Sequence, residues 1–142
     1  MRLCVIGTGY VGLVAGAGFA DFGNDVVCAD VDQGKVEQLR GGEIPIFEPG
    51  LEDLVSRNVT KGRLEFTADI AKAVAGAEIV IIAVGTPQGE DGSADLSHVL
   101  AAAEQIARAM TGYALIVTKS TVPVGTADRI REVLRKHARH DF

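Results

Sequence analysis

Three glycines close to the amino terminus are the residues whose spacing first suggests chemistry. Gly7, Gly9 and Gly12 follow a short apolar run and form the pattern G-x-G-x-x-G. In such a pattern the first glycine permits a tight turn, the second lets phosphates approach the backbone, and the third lets a helix pack closely against the sheet. The free N–H groups and the positive end of the helix dipole would then face the phosphates.

An acidic residue follows at a spacing that suits recognition of an adenosine ribose. Asp30 lies 18 residues after Gly12 (30 minus 12), close to the separation found in dinucleotide sites. Its carboxylate can accept hydrogen bonds from the ribose hydroxyls, and its charge would repel a 2′-phosphate, so we expect NAD to be preferred over NADP. The competing interpretation is that Asp30 only starts the turn before Asp32, a residue that helix capping explains.

Alternating apolar runs and helical patterns predict the elements that position these residues. Strands are predicted at residues 3–6, 26–29, 64–67, 79–84 and 115–118, the third at an edge because Glu65 interrupts it and the fourth, the most apolar, as a central strand. Helices are predicted at residues 10–22, 51–58, 69–75, 96–110 and 126–136, with a further one capped by Asp32 and running to Arg40. A loop rich in Gly and Pro covers residues 41–49.

Short apolar strands separated by helices are typical of parallel strands buried on both faces. The sequence therefore predicts an α/β fold with a doubly wound parallel sheet of the Rossmann type, in the order 3-2-1-4-5. Residues 1–142 would form one dinucleotide-binding domain. Because a sixth strand is expected after the last helix, we expect the chain to be a fragment truncated before that strand.

Composition argues against several classes of partner. The net charge of −5 argues against nucleic acid, which usually meets a basic face. The amino terminus lacks the pattern of a signal peptide, and no apolar run is long enough to span a membrane, so we expect a cytoplasmic protein. Cys4 and Cys28 fall inside predicted strands without metal-type spacing, which predicts two buried, reduced thiols and no metal site.

Two unusual loops follow predicted strands at the carboxyl edge of the sheet, where ligands of such sheets bind. Residues 84–93 are rich in Gly and Pro, and residues 119–126 carry three hydroxyls beside Pro123. The first loop could be a plain solvent loop. In the second, Thr121 could hold a water or a ligand, while Ser120 could form a turn and Thr126 could cap the last helix. The residues alone leave these alternatives open.

Four motifs together resemble the UDP-glucose 6-dehydrogenases. They are residues 9–12 (GYVG), 44–51 (IPIFEPGL), 84–87 (VGTP) and 119–126 (KSTVPVGT), in the order and spacing of that family, and the similarity runs from the first residue to about Arg135. The fourth motif begins with a lysine, and its first three residues, Lys119 to Thr121, are more similar to those of UDP-glucose enzymes than to those of GDP-mannose enzymes. The resemblance implies oxidation of UDP-glucose to UDP-glucuronate with two NAD, through a thiohemiacetal and a thioester on a cysteine.

The resemblance also implies roles for individual residues. Those expected to surround the pyrophosphate are Gly7, Gly9, Tyr10, Val11 and Gly12. Asp30 and Lys35 should contact the adenosine ribose, although Lys35 could also be a solvated surface lysine. The nicotinamide side should be lined by Gly85, Thr86, Pro87, Ser120 and Thr121, with Thr121 as a catalytic residue that positions water. Glu48, Pro49 and Gly50 mark the family without a firm role.

The family's catalytic cysteine and its substrate lysine and asparagine should all follow Phe142. We therefore expect this fragment alone to be inactive, and the intact enzyme to be a homodimer or a larger assembly that takes UDP-glucose. The alternatives are a dehydrogenase of another UDP- or GDP-sugar, a nucleotide-binding Rossmann module without chemistry, and an S-adenosylmethionine enzyme. Titration with NAD, NADP and S-adenosylmethionine distinguishes a dinucleotide-binding domain from an S-adenosylmethionine enzyme.

Overall fold

The computed structural model describes residues 1–142 and contains one sheet of five parallel strands. The strands are β1 (Arg2–Ile6), β2 (Asp25–Ala29), β3 (Leu64–Thr67), β4 (Ile79–Ile82) and β5 (Leu115–Thr118). Their order in the sheet is β3-β2-β1-β4-β5, and every neighbouring pair is parallel. The predicted order and the edge position of the third strand are both confirmed.

Six helices alternate with these strands. They are α1 (Tyr10–Asp21), α2 (Gln33–Arg40), α3 (Leu51–Thr60), α4 (Ile70–Val74), α5 (Ser97–Ala109) and α6 (Thr126–His137). Asp32 caps α2 as predicted, because its carboxylate accepts a hydrogen bond of 3.1 Å from the Lys35 N–H. No helix combines the length and the apolar character that crossing a membrane requires.

The observed boundaries coincide with the predicted ones or differ from them by one or two residues. The fourth strand ends at Ile82 rather than at Val84, because its pairing with β1 and β5 ends at Ile6 and Thr118. The last helix is capped by Gly125, which has a φ of 90°. Thr126 does not cap it, since its hydroxyl donates to the Pro123 carbonyl at 2.7 Å.

Helices cover both faces of the sheet, so its strands are apolar on both sides. On one face α1, α2 and α3 pack on the strands through residues such as Leu13, Leu39 and Val55. On the other face α4, α5 and α6 pack through residues such as Ile106 and Leu134. This burial explains why the strands read as short continuous apolar runs, and it leaves the carboxyl edge of the sheet as the place where loops converge.

Candidate functional site

The glycine turn joins β1 to α1 in a conformation that needs glycine. Gly7 has a φ of 101°, and its N–H donates to the Ala29 carbonyl at 2.7 Å. A Cβ on Gly7 would lie 2.5 Å from the carbonyl oxygen of Ala83, the residue that follows β4. A side chain is therefore excluded by this contact as well as by the positive φ of Gly7. The first glycine therefore has the predicted role of permitting a tight turn.

Gly12 makes a close contact, although not the one predicted. A Cβ at this position would collide with the carbonyl of Gly7, and the nearest sheet-side atom is the Ala83 Cβ at 3.4 Å. Gly12 thus lets the first turn of α1 lie on the glycine turn itself. Gly16, one turn later, is the glycine that brings α1 close to the sheet, because a Cβ there would collide with the Cys28 sulfur.

Gly9 differs from both, since no protein atom lies within 4 Å of the Cβ it lacks. It is exposed and precedes the first residue of α1 as its N-cap, without a side-chain cap. The unpaired N–H groups of the first helical turn therefore remain open to a ligand at this point. The space beside Gly9 fits the phosphates of a dinucleotide, which a side chain would displace.

Asp30 lies at the end of β2, directly beside the glycine turn. Its Oδ2 accepts two hydrogen bonds from Thr8, one from the backbone N–H at 2.8 Å and one from the hydroxyl at 2.7 Å. Its Oδ1 accepts a bond of 3.0 Å from the Asp32 N–H. The residue is 8% exposed. Asp30 therefore does start the turn before Asp32, and it also binds the glycine turn.

The charge of Asp30 is held in place by its donors. Burial by itself would raise the pKa of this carboxyl, but the N–H groups of Asp32 and Thr8, the Thr8 hydroxyl and the nearby Lys35 ammonium outweigh that effect and hold the pKa below its usual range. The Lys35 Nζ lies 3.7 Å from Oδ2, and its side chain is only partly exposed. Asp30 is consequently an anion at neutral pH.

A cleft of about 450 Å³ opens beside these residues at the carboxyl edge of the sheet. Five residues predicted from the sequence line it: Gly7, Gly9, Asp30, Lys35 and Gly85. The opposite wall is one face of α5, with His98, Ala101, Ala102 and Gln105 at helical spacing. A pocket with two small apolar residues between polar ones, next to a buried carboxylate, has the size and lining that the adenosine half of NAD would require.

Tyr10 and Val11 begin α1 outside that cleft, with exposed side chains. The Tyr10 hydroxyl donates to the Glu48 carboxylate at 2.6 Å, a bond that raises the pKa of the phenol. Gly50 caps α3 with a φ of 81°, and Leu51 is buried beneath it. The motif around Glu48 therefore acquires a role that the sequence did not reveal: it ties the loop before α3 to the first residue of α1.

The two loops after β4 and β5 are joined by hydroxyl groups. The Ser120 hydroxyl donates to the Val84 carbonyl at 2.7 Å, and the Thr86 hydroxyl donates to the Thr121 carbonyl at 2.8 Å. Ser120 thus bridges the loops instead of forming only a local turn. Pro87 and Thr121 are exposed. Thr86, Pro87, Ser120 and Thr121 do not line the cleft. The structure joins Thr86 to Thr121 and Ser120 to Val84, and it brings none of the four to Asp30.

Both thiols lie in the core, as predicted. Cys4 faces the helices α4 to α6 and Cys28 faces α1, and neither is exposed or disulfide-bonded. Burial raises the pKa of the Cys4 thiol to about 12 and raises that of Cys28 as well. Neither sulfur is therefore a nucleophile at neutral pH.

Several site residues escaped the sequence analysis. Thr8 occupies a variable position of the glycine pattern, so nothing in the pattern marks it. The α5 face was detectable in principle, because residues 98, 101, 102 and 105 share one side of a helix and sit after the fourth strand. What the sequence lacked was the information that this side faces Asp30 across the cleft.

Comparison with known proteins gives a consistent result. Residues 1–142 match the model of the UDP-glucose/GDP-mannose dehydrogenase family, NAD binding domain. The chain is 57% identical to the UDP-glucose 6-dehydrogenase of Rhizobium meliloti over 137 residues, which is 96% of this chain and 31% of that protein.

Two solved structures superpose closely. A UDP-glucose dehydrogenase from Pyrobaculum islandicum is similar with a TM-score of 0.94 and 43% identity, over 99% of this chain and 34% of the other. A GDP-mannose dehydrogenase from Pseudomonas aeruginosa is similar with a TM-score of 0.93 and 32% identity, over 99% and 33%. The chain spans about 30% of the length of the curated relatives that it matches.

Proposed function

Because the chain belongs to the UDP-glucose/GDP-mannose dehydrogenase family, we propose that the intact protein oxidises UDP-glucose to UDP-glucuronate with two NAD. The domain described here is the NAD-binding part of that family. The observation that carries the cofactor part of the proposal is the Asp30 carboxylate, ionised and fixed beside the glycine turn where it lines the cleft. The substrate part is supported by the 57% identity to a UDP-glucose 6-dehydrogenase. A 2′-phosphate placed there would meet a buried negative charge.

The proposed binding mode follows the shape of the site. The pyrophosphate lies over Gly7, Gly9 and Gly12 at the start of α1, flanked by Tyr10 and Val11. The adenosine ribose contacts Asp30 and Lys35, and the base enters the cleft against α5. When bound, NAD supplies a hydride acceptor, and its nicotinamide lies along the bridged loops that carry Gly85, Thr86, Pro87, Ser120 and Thr121.

We propose a catalytic role for Thr121 in the intact protein. Its carbonyl is held by the Thr86 hydroxyl at 2.8 Å, and its side chain is exposed where the two loops meet. The segment after it contains Pro123, whose fixed φ limits the backbone path of this loop. A hydroxyl carried by such a loop can position a water molecule beside the reacting carbon.

The proposal assigns no chemistry to the two cysteines of this chain. Both are buried with raised pKa values, so neither can form a covalent intermediate with a sugar. The covalent step of the proposed reaction therefore needs a nucleophile other than these two thiols. The substrate preference for UDP-glucose, a homodimeric or larger assembly and a cytoplasmic location are further parts of the proposal for the intact protein, the last in keeping with two free thiols.

A calorimetric titration of this domain tests the cofactor assignment. NAD should bind, NADP should bind at least about tenfold more weakly because of the charge of Asp30, and S-adenosylmethionine should not bind. Equal affinity for NAD and NADP would contradict the ribose role of Asp30. Binding of S-adenosylmethionine alone would contradict the family's chemistry.

A spectrophotometric assay of NADH formation tests whether this domain alone can oxidise UDP-glucose. The domain incubated with UDP-glucose and NAD should form no NADH above background, whereas the intact protein should reduce two NAD per UDP-glucose. GDP-mannose is the matched control substrate, because a GDP-mannose dehydrogenase shares the fold at 32% identity. Turnover of GDP-mannose in preference to UDP-glucose would reassign the substrate while leaving the NAD site intact.

A further inference from the structure

Thr8 is buried between two glycines of the turn and makes both of its polar contacts with one carboxylate oxygen. It is 0% exposed. Its N–H and its hydroxyl donate to Asp30 Oδ2 at 2.8 and 2.7 Å. A buried side chain whose donor capacity is directed at a single atom of a binding residue fixes that residue's orientation.

The two oxygens of Asp30 are left in different states by these bonds. Each carboxylate oxygen can accept about two hydrogen bonds. Thr8 supplies two donors to Oδ2, and the Lys35 Nζ lies a further 3.7 Å away. Oδ1 accepts only the bond from the Asp32 N–H. The oxygen with acceptor capacity to spare is therefore Oδ1.

We propose that Thr8 is a positioning residue for cofactor binding, whose hydroxyl fixes the Asp30 carboxylate so that Oδ1 is presented to the adenosine ribose. This inference rests on the proposed NAD site. It also links two parts of that site mechanically, because Thr8 belongs to the turn that holds the pyrophosphate. The ribose and pyrophosphate contacts are then set at a fixed separation before the cofactor arrives, which lowers the entropy lost on binding.

Removal of the hydroxyl should act through Asp30 and not through the fold. Thr8→Val has nearly the same shape and keeps the backbone N–H bond, so the turn should survive. We expect Thr8→Val to weaken NAD binding by about tenfold, while Thr8→Ser, which restores the hydroxyl, binds NAD within about twofold of the unmutated domain. Circular dichroism and the melting temperature monitor folding of both variants.

A double-mutant cycle separates positioning from a merely structural role. In a domain that already carries Asp30→Ala, the further change Thr8→Val should not weaken NAD binding, because there is no carboxylate left to orient. If Thr8 served only the turn, the two losses would multiply instead. Thr8→Ala in the same two backgrounds provides a second cycle should the valine variant fail to fold.

The titration of Asp30 gives an independent readout. The charged groups facing it are Lys35 and Asp32 from the α2 side, and His98 lines the far wall of the cleft. The carboxyl-carbon NMR signal of Asp30 in the free domain reports this residue alone. Its pKa should be higher in Thr8→Val, because a hydrogen bond to the charged form is lost, and NAD binding should fail at a correspondingly higher pH as the solution is acidified.

The outcomes distinguish this inference from the proposed function. If the unmutated domain does not bind NAD, the proposed site is wrong. If it binds NAD and Thr8→Val binds equally well with an unchanged Asp30 titration, the site stands and the positioning role of Thr8 is refuted. Weaker binding that Thr8→Ser restores, together with a non-additive cycle, supports the role.

Discussion

The two ends of the proposed cofactor site differ in how completely this chain builds them. At the adenosine end, Asp30 is buried, carries three hydrogen bonds and borders a cleft of about 450 Å³. At the nicotinamide end, Thr121 and Pro87 are exposed, and the hydroxyls of Thr86 and Ser120 are used to bridge two loops. One end is walled by a helix and the other is an open edge.

The difference has a physical origin in what surrounds each end. The adenosine cleft lies between the glycine turn and α5, which are both fixed by the buried sheet. The loops after β4 and β5 are joined by two hydroxyl hydrogen bonds, and several of their residues, Thr121 and Pro87 among them, are exposed. A site walled by packed elements is preorganised, whereas exposed loops gain order only from further contacts. Mutations at the adenosine end should therefore mainly change the affinity for NAD, and mutations at the nicotinamide end should mainly change kcat.

The largest effect should come from the point between the two ends. Gly9→Val places methyl groups in the space proposed for the pyrophosphate, where no protein atom lies within 4 Å of the added Cβ. NAD binding should be lost, by a factor of more than about a hundred, while far-UV circular dichroism stays near native. Gly18→Val is the matched control in the same helix, since its Cβ also meets no atom within 4 Å. Unchanged NAD affinity in Gly9→Val would place the phosphates elsewhere.

The nicotinamide end should affect turnover more than affinity. In the intact protein, Thr121→Ala should lower kcat by about a hundredfold, as loss of a positioned proton-transfer partner typically does, and should change the NAD dissociation constant little. Thr121→Ser retains the hydroxyl and should recover most of the turnover. Equal kcat for alanine variant and parent would leave Thr121 a loop-bridging residue only.

The adenosine end should show the opposite pattern. Asp30→Ala removes the carboxylate that is proposed to accept hydrogen bonds from the ribose. Loss of bonding to a charged acceptor costs about 1.5–3 kcal/mol, so NAD binding should weaken by about ten- to a hundredfold. The difference in affinity between NAD and NADP should become smaller. Asp32→Ala is the matched control, because it removes a neighbouring carboxylate whose observed role is capping α2. It should cost about 1 kcal/mol of stability with a smaller change in affinity. A larger loss in Asp32→Ala would exchange the roles of the two acids.

The smallest effect should come from removing the nicotinamide itself. ADP-ribose retains every group assigned to the adenosine end and to the glycine turn, so this domain should bind it within about threefold of NAD by calorimetry. A domain that binds NAD much more tightly than ADP-ribose would show that the exposed loops already form a working subsite.

Much of the fold was predictable because local patterns and tertiary environment agree. Strands buried on both faces are short apolar runs, and helices with one buried face repeat at helical spacing, so the order 3-2-1-4-5 followed from general rules of connection. Asp32 as a cap and Cys4 and Cys28 as core residues followed in the same way. Each depends mainly on its own neighbours in sequence.

Other features depended on which segments meet in space. The partner of Gly12 is the Gly7 carbonyl, the partner of the Tyr10 hydroxyl is Glu48, and the cap of α6 is Gly125 rather than Thr126. Such contacts are set by the exact path of a turn or a loop. A composition or a spacing does not encode that path, because many loop conformations satisfy the same residue types.

The sequence by itself determined that a glycine-rich turn and an acid stand at the ends of two adjacent parallel strands, since glycine spacing and strand periodicity are local properties. Only the tertiary structure decided that Thr8 holds that acid through both of its donors and that α5 walls the cleft opposite it. These contacts join residues 22 positions apart or more distant still, and their geometry exists only after the sheet and both helical layers have packed.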